Sequence, residues 1–283
     1  MKKLKYKPIF SVDVEDWLQS TWNRDSKLSH VSEKNMILLL ERLERLDIKI
    51  TMFVLGKFAE TFPHIVKKIS EAGHEIASHG HGHLEIFTQS KEHFRKDIRR
   101  NKDFLEQLTG KEVFGYRAPD FSITERSIWA LDELADAGFI YDSSIFPIKG
   151  SRYGIEDWHL SPHSIDLKDG KSIIEFPITA YPIGGKNRPI SGGGYFRLFP
   201  SPIIYKFMEK VLKERPFISY MHPYEFNKDE FRDMDVEIPF HVKFHQGLFR
   251  SRFGVRFDAY VKRFGNTTFI DFIKEQELNL VVA

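Results

Sequence analysis

The chain has 283 residues, with 42 lysines and arginines against 40 aspartates and glutamates, a net charge of +2 and no cysteine. That excludes disulfides and thiolate metal ligands, and it leaves no overall field to draw the chain onto nucleic acid. No run reaches the roughly 18 apolar residues a membrane span needs, and the basic start Met1 to Pro8 leads into an acidic strand instead of an apolar signal segment; the expectation is a soluble, cytoplasmic protein with no membrane span.

Strands and helices alternate along the chain, the pattern of βα units around a parallel sheet or barrel. Ile9 to Val14 reads as the first strand. Met36, Leu39, Leu40, Leu43 and Leu46 fall three and four apart, which predicts a helix over Ser32 to Leu46 with Ser32 as its N-cap. Ile48 to Leu55 follows as a strand, Pro63 to Ala72 as a helix stopped at Gly73, and Glu75 to Ser78 as a short strand. A helix over Phe94 to Leu108, a strand over Val113 to Tyr116 and a helix over Ser127 to Ala137 lead to Phe139-Ile140-Tyr141. From Phe146 to Pro189 prolines and glycines recur; this predicts a loop-rich wall with strands only at Ser172 to Phe176 and Ile178 to Tyr181. Helix Ile203 to Lys213 and strand Phe217 to Met221 resume the pattern. After them come a charged stretch, Asn227 to Asp235, a mixed aromatic and basic one, Val242 to Phe264, a helix over Thr267 to Gln276 and a strand over Leu278 to Val282. There is no internal repeat or linker, so residues 1–283 read as one domain, with an extension from about residue 227. Most of the 26 phenylalanines build core.

The chemistry concentrates after strand ends. Three acids, Asp13, Glu15 and Asp16, close the first strand, and His79 and His83 stand four apart in a glycine-rich turn. Imidazole with carboxylate suits zinc and other first-row divalent ions, and a three-ligand site keeps a position open for water, the arrangement of metal-assisted hydrolysis. Period-two alternation puts Asp13 and Glu15 on one strand face, which favours Glu15 as ligand; Asp16 competes if the chain has already left the strand. His81 between its glycines is expected to face solvent, and His74 to be packed.

Taken together, Ser11-Val12-Asp13-Val14-Glu15-Asp16, Thr51 to Gly56, Ala72 to His83, Gly115-Tyr116-Arg117-Ala118-Pro119-Asp120, Tyr141-Asp142-Ser143-Ser144 and Tyr220-Met221-His222-Pro223 make the chain resemble the polysaccharide deacetylases, the NodB-homology branch of carbohydrate esterases that includes peptidoglycan deacetylases and allantoinase-like enzymes. Gly192 to Arg197 and His222-Pro223-Tyr224-Glu225 resemble the subgroup of exopolysaccharide and surface-glycan clusters. The resemblance implies an α/β fold, a distorted (β/α) barrel of about seven parallel strands with a C-terminal extension. It implies removal of an acetyl group from an N-acetylated amino sugar, with a divalent ion, zinc before cobalt or nickel, held by His79, His83 and Glu15 or Asp16.

In the roles so implied, Asp13 is the general base, Arg117 pairs with and orients it, and His222 is the general acid. Asp142 is the expected carboxylate neighbour of His222, with Glu225 as second choice. Pro119 shapes the loop on which the backbone N–H of Asp120 would face an oxyanion; Asp120 replaces a tyrosine common in the family, which adds a charge beside the substrate. Trp17, Tyr195 and Trp158 are candidate sugar-stacking surfaces, and Gly192-Gly193-Gly194 a tight loop beside the substrate groove. The expected partner is a carbohydrate, with no nucleic acid, and self-association into a homo-oligomer stays open. Two other readings remain at this level: a metal-independent amidohydrolase acting on a small amide, and a non-catalytic glycan-binding protein of the same fold.

Overall fold

The structure, a computed structural model, describes residues 4–150 and 152–276; the strand expected over Leu278 to Val282 lies outside them. The elements are β1 (Ile9–Val14), α1 (His30–Arg45), β2 (Thr51–Val54), α2 (Gly56–Thr61), α3 (Pro63–Glu71), β3 (Glu75–Ser78), α4 (Lys91–Thr109), β4 (Gly115–Tyr116), α5 (Ala130–Asp136), β5 (Tyr141–Asp142), β6 (His163–Asp166), β7 (Ser172–Glu175), β8 (Ala180–Ile183), β9 (Lys186–Pro189), α6 (Gly193–Leu198), α7 (Ser201–Val211), β10 (Ile218–Met221), α8 (Glu230–Asp233), α9 (Phe240–Gly247), α10 (Arg250–Phe264) and α11 (Phe269–Glu275).

Eight strands form one curled sheet in the order β10-β1-β2-β3-β4-β5-β7-β6. The first seven are parallel, and β6 caps one edge antiparallel to β7. The gap facing β10 is bridged irregularly: Thr179 N–H donates to the Ile218 carbonyl at 3.2 Å, and Ile218 N–H to Thr179 Oγ1 at 2.7 Å. The barrel is therefore distorted and not fully laddered.

Alternation along the strands sorts side chains into two layers. Ile9, Phe53, Ala77, Tyr141 and Ile218 point inward and pack with Phe176 and Phe269. Phe10, Val12, Met52, Val54, Ile76 and Tyr116 point outward beneath the helices. Arg117 crosses the inner layer fully buried, its guanidinium carbon 4.0 Å from the Phe53 ring centre.

Several local expectations shift. Helix α1 is capped by Ser29, whose side chain accepts from Val31 N–H, and not by Ser32. Residues 178–181 do not form a strand of the barrel; β8 begins at Ala180 and pairs with β9 as a separate hairpin. The glycine run is not only a loop, since Gly193 opens α6. The aromatic and basic stretch becomes two helices, α9 and α10, because Phe253, Phe257, Tyr260, Val261 and Phe264 recur at helical spacing and bury one face.

Candidate active site

Inward residues at the C-terminal strand ends build the site. Asp13 and Glu15 continue the inner face of β1, His79 follows β3, Arg117 follows β4, and His222 follows β10. Asp13, Glu15, His79 and His222 border a cavity of about 160 Å³ lined also by His83, Asp120, Phe121, Tyr153, Tyr220 and Tyr224, with Arg117 buried behind Asp13.

Glu15, His79 and His83 bring one ligand atom each within 4.8 Å of one another, and all three are buried. Glu15 Oε2 lies 2.7 Å from His83 Nε2 and 3.4 Å from His79 Nε2, yet makes no hydrogen bond. His79 Nδ1 lies 2.8 Å from the Arg117 carbonyl, which can only accept. That fixes the neutral ring's proton on Nδ1 and turns the Nε2 lone pair toward a carboxylate oxygen. Two acceptors facing each other in a dry pocket call for a cation between them. The donor set thus fits a divalent ion, and Nδ1 bonded to a carbonyl is the outer contact that metal-binding histidines commonly make. Burial opposes charging Glu15, but His83 and His79 outweigh it and hold the carboxyl well below its ordinary range.

Asp16 is not part of this cluster. It points to the other side of the strand, where Oδ1 accepts from Gln19 N–H at 2.8 Å, and Oδ2 accepts from Ser29 N–H at 3.0 Å and from the Ser32 hydroxyl. Its acid ties the turn after β1 to the start of α1. His81 turns away from the cavity, with its Nε2 3.0 Å from Glu60, and His74 is packed with Nδ1 accepting from Ile50 N–H.

Arg117 is committed to Asp13 and its neighbours. Its Nη1 donates to Asp13 Oδ1 at 2.7 Å and Ser11 Oγ at 2.8 Å, its Nε to the Ser143 carbonyl, and its Nη2 to Ser143 Oγ. A buried guanidinium with so many partners is held rigidly.

His222 lies with Nε2 3.5 Å from Glu15 Oε1 and Nδ1 3.5 Å from Glu225 Oε2, stacked on Tyr224 at 4.7 Å. Burial disfavours its charge, but Glu225, Glu15 and Asp13 outweigh that and raise its pKa to about 9. The neighbour is Glu225, not Asp142. Asp142 sits at an outward position of β5, fully buried, accepting from the Ser144 hydroxyl and amide. Beside it burial and the Asp142 charge push the Glu175 carboxyl well above the ordinary range, and neither acid lines the cavity.

Gly193 explains part of the glycine run. A Cβ there would stand 1.7 Å from Glu225 Oε2, so only glycine leaves room for the carboxylate that serves His222. The sequence pattern contained this glycine but not the reason for it.

At the rim, Asp120 and Phe121 both adopt left-handed backbone, φ 55° and 51°, after Pro119. His83 does so too, at φ 58°. Non-glycine residues held there carry strain that the surroundings must offset, and such positions cluster at sites. Asp120 Oδ2 accepts from Arg152 at 2.8 Å and Arg24 at 3.3 Å, and both arginines also reach Glu85. This four-residue ion network had no signal in the sequence, because its members are separated by up to 128 positions. Trp17 is not a stacking surface: it is 1% exposed, packed edge-on against Phe231 and stacked on Trp22. Tyr195 packs half-buried against Phe199, and Trp158 against His163, both outside the cavity lining. The aromatic lining is instead Phe121, Tyr153, Tyr220 and Tyr224.

Comparison with known proteins agrees with this geometry. Residues 30–139 match the polysaccharide deacetylase family, and residues 143–274 match a domain of unknown function, DUF3473. A peptidoglycan-N-acetylglucosamine deacetylase of Bacillus cereus is 32% identical over 96 residues, 34% of this chain and 35% of that protein. A peptidoglycan deacetylase of Helicobacter pylori is 27% identical over 173 residues, 56% of this chain and 57% of that protein. The chain thus aligns with about a third to just over half of these relatives' length. The crystal structure of a protein assigned as a polysaccharide deacetylase from Mycobacterium smegmatis superposes with a TM-score of 0.64 at 20% identity, covering 99% of this chain and 94% of that one. Residues 30–139 thus carry the likeness to the polysaccharide deacetylase family, and the superposition shows that the chain shares the fold of the Mycobacterium smegmatis protein. His79, His83 and Arg117 lie in the first matched region and His222 and Glu225 in the second, so the site draws on both.

Proposed function

We propose that the protein is a metal-dependent hydrolase that removes the acetyl group from an N-acetylated amino sugar of a bacterial surface polysaccharide or its precursor. The observation that carries this reading is the Glu15, His79, His83 cluster, with its unbonded carboxylate oxygen, placed between the Asp13–Arg117 pair and the His222–Glu225 pair. A divalent ion, zinc before cobalt or nickel, held by those three residues would supply Lewis-acid polarisation of the acetyl carbonyl and lower the pKa of a water.

The chain's own groups do the rest. Asp13, oriented by Arg117, takes the proton of the attacking water. His222, charged with the help of Glu225, gives a proton to the leaving amine. The backbone N–H of Asp120, on its strained turn after Pro119, is read as a donor to the developing oxyanion. Tyr153 lines both the cavity and an open groove of about 400 Å³ along Arg126, Lys149 and Arg152, which supports a substrate longer than one sugar. The pairing of β10 with β1 in one sheet supports reading residues 1–283 as one domain. Acetate release from a panel of N-acetylated oligosaccharides, with and without chelator, tests the proposal. Release from at least one, lost with chelator and restored by zinc, cobalt or nickel, is expected; release unaffected by chelator would overturn the metal role.

A further inference from the structure

Charge is balanced over the whole chain but not locally. From Ile238 to Phe257 there is no aspartate or glutamate, while Lys243, Arg250, Arg252, Arg256, His241 and His245 all fall there. Helix α9 runs through this stretch and fully buries none of its residues. Phe240 is 81% exposed and Phe244 60%, one turn apart with ring centres 6.2 Å from each other. Phe249 is also exposed, and the guanidinium of Arg252 lies 5.5 Å from its ring centre. Arg250 is buried and paired with Glu230 at 2.8 Å, so the cations beside the paired phenylalanines at the surface are Lys243, Arg252 and Arg256. Single exposed apolar residues are ordinary, but exposed rings beside these cations form a patch with a definite chemistry.

The patch is held firmly in place. Arg197 donates to the Gln246 and Leu248 carbonyls, and Arg250 donates to the Gln246 carbonyl at 2.8 Å and the Tyr224 carbonyl at 3.2 Å. Val242 of α9 packs against the cluster of Trp17, Leu18 and Tyr224. Tyr224 in turn stacks on His222 and lines the cavity. One layer of side chains therefore separates this face from the site.

We propose that α9 and its flanks dock the protein on an anionic lipid surface. Aromatic side chains beside lysine and arginine, with no acid in α9 itself, match a helix lying in a bilayer interface, where the rings enter the acyl boundary and the cations meet headgroup phosphates. The docking proposed is peripheral, along the face of α9; no helix among the described residues is long and apolar enough to cross a membrane. Resting on the functional reading above, docking there would set the cavity beside a saccharide carried on lipid.

Co-sedimentation of the full chain with phosphatidylcholine vesicles, with and without phosphatidylglycerol, reads the docking without reference to activity. The expected result is binding to the anionic vesicles, weakened on the order of tenfold or more by Phe240→Ser with Phe244→Ser and by Lys243→Glu with Arg252→Glu, at unchanged melting temperature. Absence of wild-type binding, or variants that bind as the wild type does, overturns the proposal. So does a wild-type dimer in size-exclusion chromatography that Phe240→Ser converts to monomer, because a second copy then covers the face. A chain that releases no acetate yet binds the vesicles would leave this proposal standing and the catalytic one overturned.

Discussion

Asp13 and His79 sit within one small cavity but are bonded differently, and substitutions should separate them. Asp13 engages Arg117 through Oδ1, while His79 aims its Nε2 at Glu15. Asp13→Asn should keep metal binding and lose about 10²–10⁴-fold in turnover, the usual cost of a general base. His79→Ala should lose the metal itself. Metal content and acetate release measured on the same samples decide this, and stoichiometric metal loss in Asp13→Asn would make Asp13 a ligand. His222 and Gly193 form a second test. His222→Ala should slow amide hydrolysis far more than hydrolysis of an activated acetyl ester, because the amine must be protonated to leave and a phenolate need not be. Gly193→Ala drives a methyl into the Glu225 carboxylate, so it should show the same amide-selective loss, in weaker form, with metal content intact. Equal losses on both substrates would return His222 to a packing role.

At the scale of single elements, the β2–α3–β3 unit carries a pH-sensitive group away from the cavity. His74 precedes β3 with Nδ1 accepting from Ile50 N–H, and burial, with Lys49 nearby, lowers its pKa to about 4. The unfolded chain takes up this proton near the ordinary value of about 6.5, while the native state refuses it down to about 4. Stability from His74 is therefore present above pH 6.5 and is lost as pH falls toward 4. At pH 5 the loss should be about 2 kcal/mol. His74→Asn, whose side-chain oxygen can accept the same N–H, should flatten this limb relative to wild type in urea unfolding at pH 5 and pH 7. Parallel curves for the two proteins would show that His74 is not the group. Helix α4 does a different job: Asn101 donates to the carbonyls of Val54 and Gly80 and to Ser78 Oγ, fixing the turn that carries His79.

Across the whole molecule, the region matching the domain of unknown function supplies β10, His222, Glu225 and the helices over the outer face of β1. Phe10 packs on Phe196 and Phe257 from that region. A fragment of residues 1–142 should therefore lack a cooperative thermal transition, since it exposes the β1 edge and the apolar face that α6 and α10 cover. A sharp circular-dichroism melt from that fragment would show that the first region folds alone.

The sequence by itself determined what depends on near neighbours. Strand and helix order follows hydrophobic periodicity, and the His79–His83 spacing, the acids after β1 and the strand-end placement of Arg117 and His222 were all legible. Alternation also favoured Glu15 over Asp16, because inner and outer faces follow parity as long as the chain stays extended. The same rule puts Asp142 at an outward position beside inward Tyr141, away from His222. The helical pattern of residues 240–264 was masked by the number of aromatic and basic side chains on both faces. Only the tertiary structure decided the contacts between distant segments: Glu225 seated in the space left by Gly193, Arg24 and Arg152 meeting on Asp120, and Trp17 sealed beneath Phe231. These depend on which surfaces the curled sheet brings together, and periodicity along one segment carries no information about the segment packed across from it.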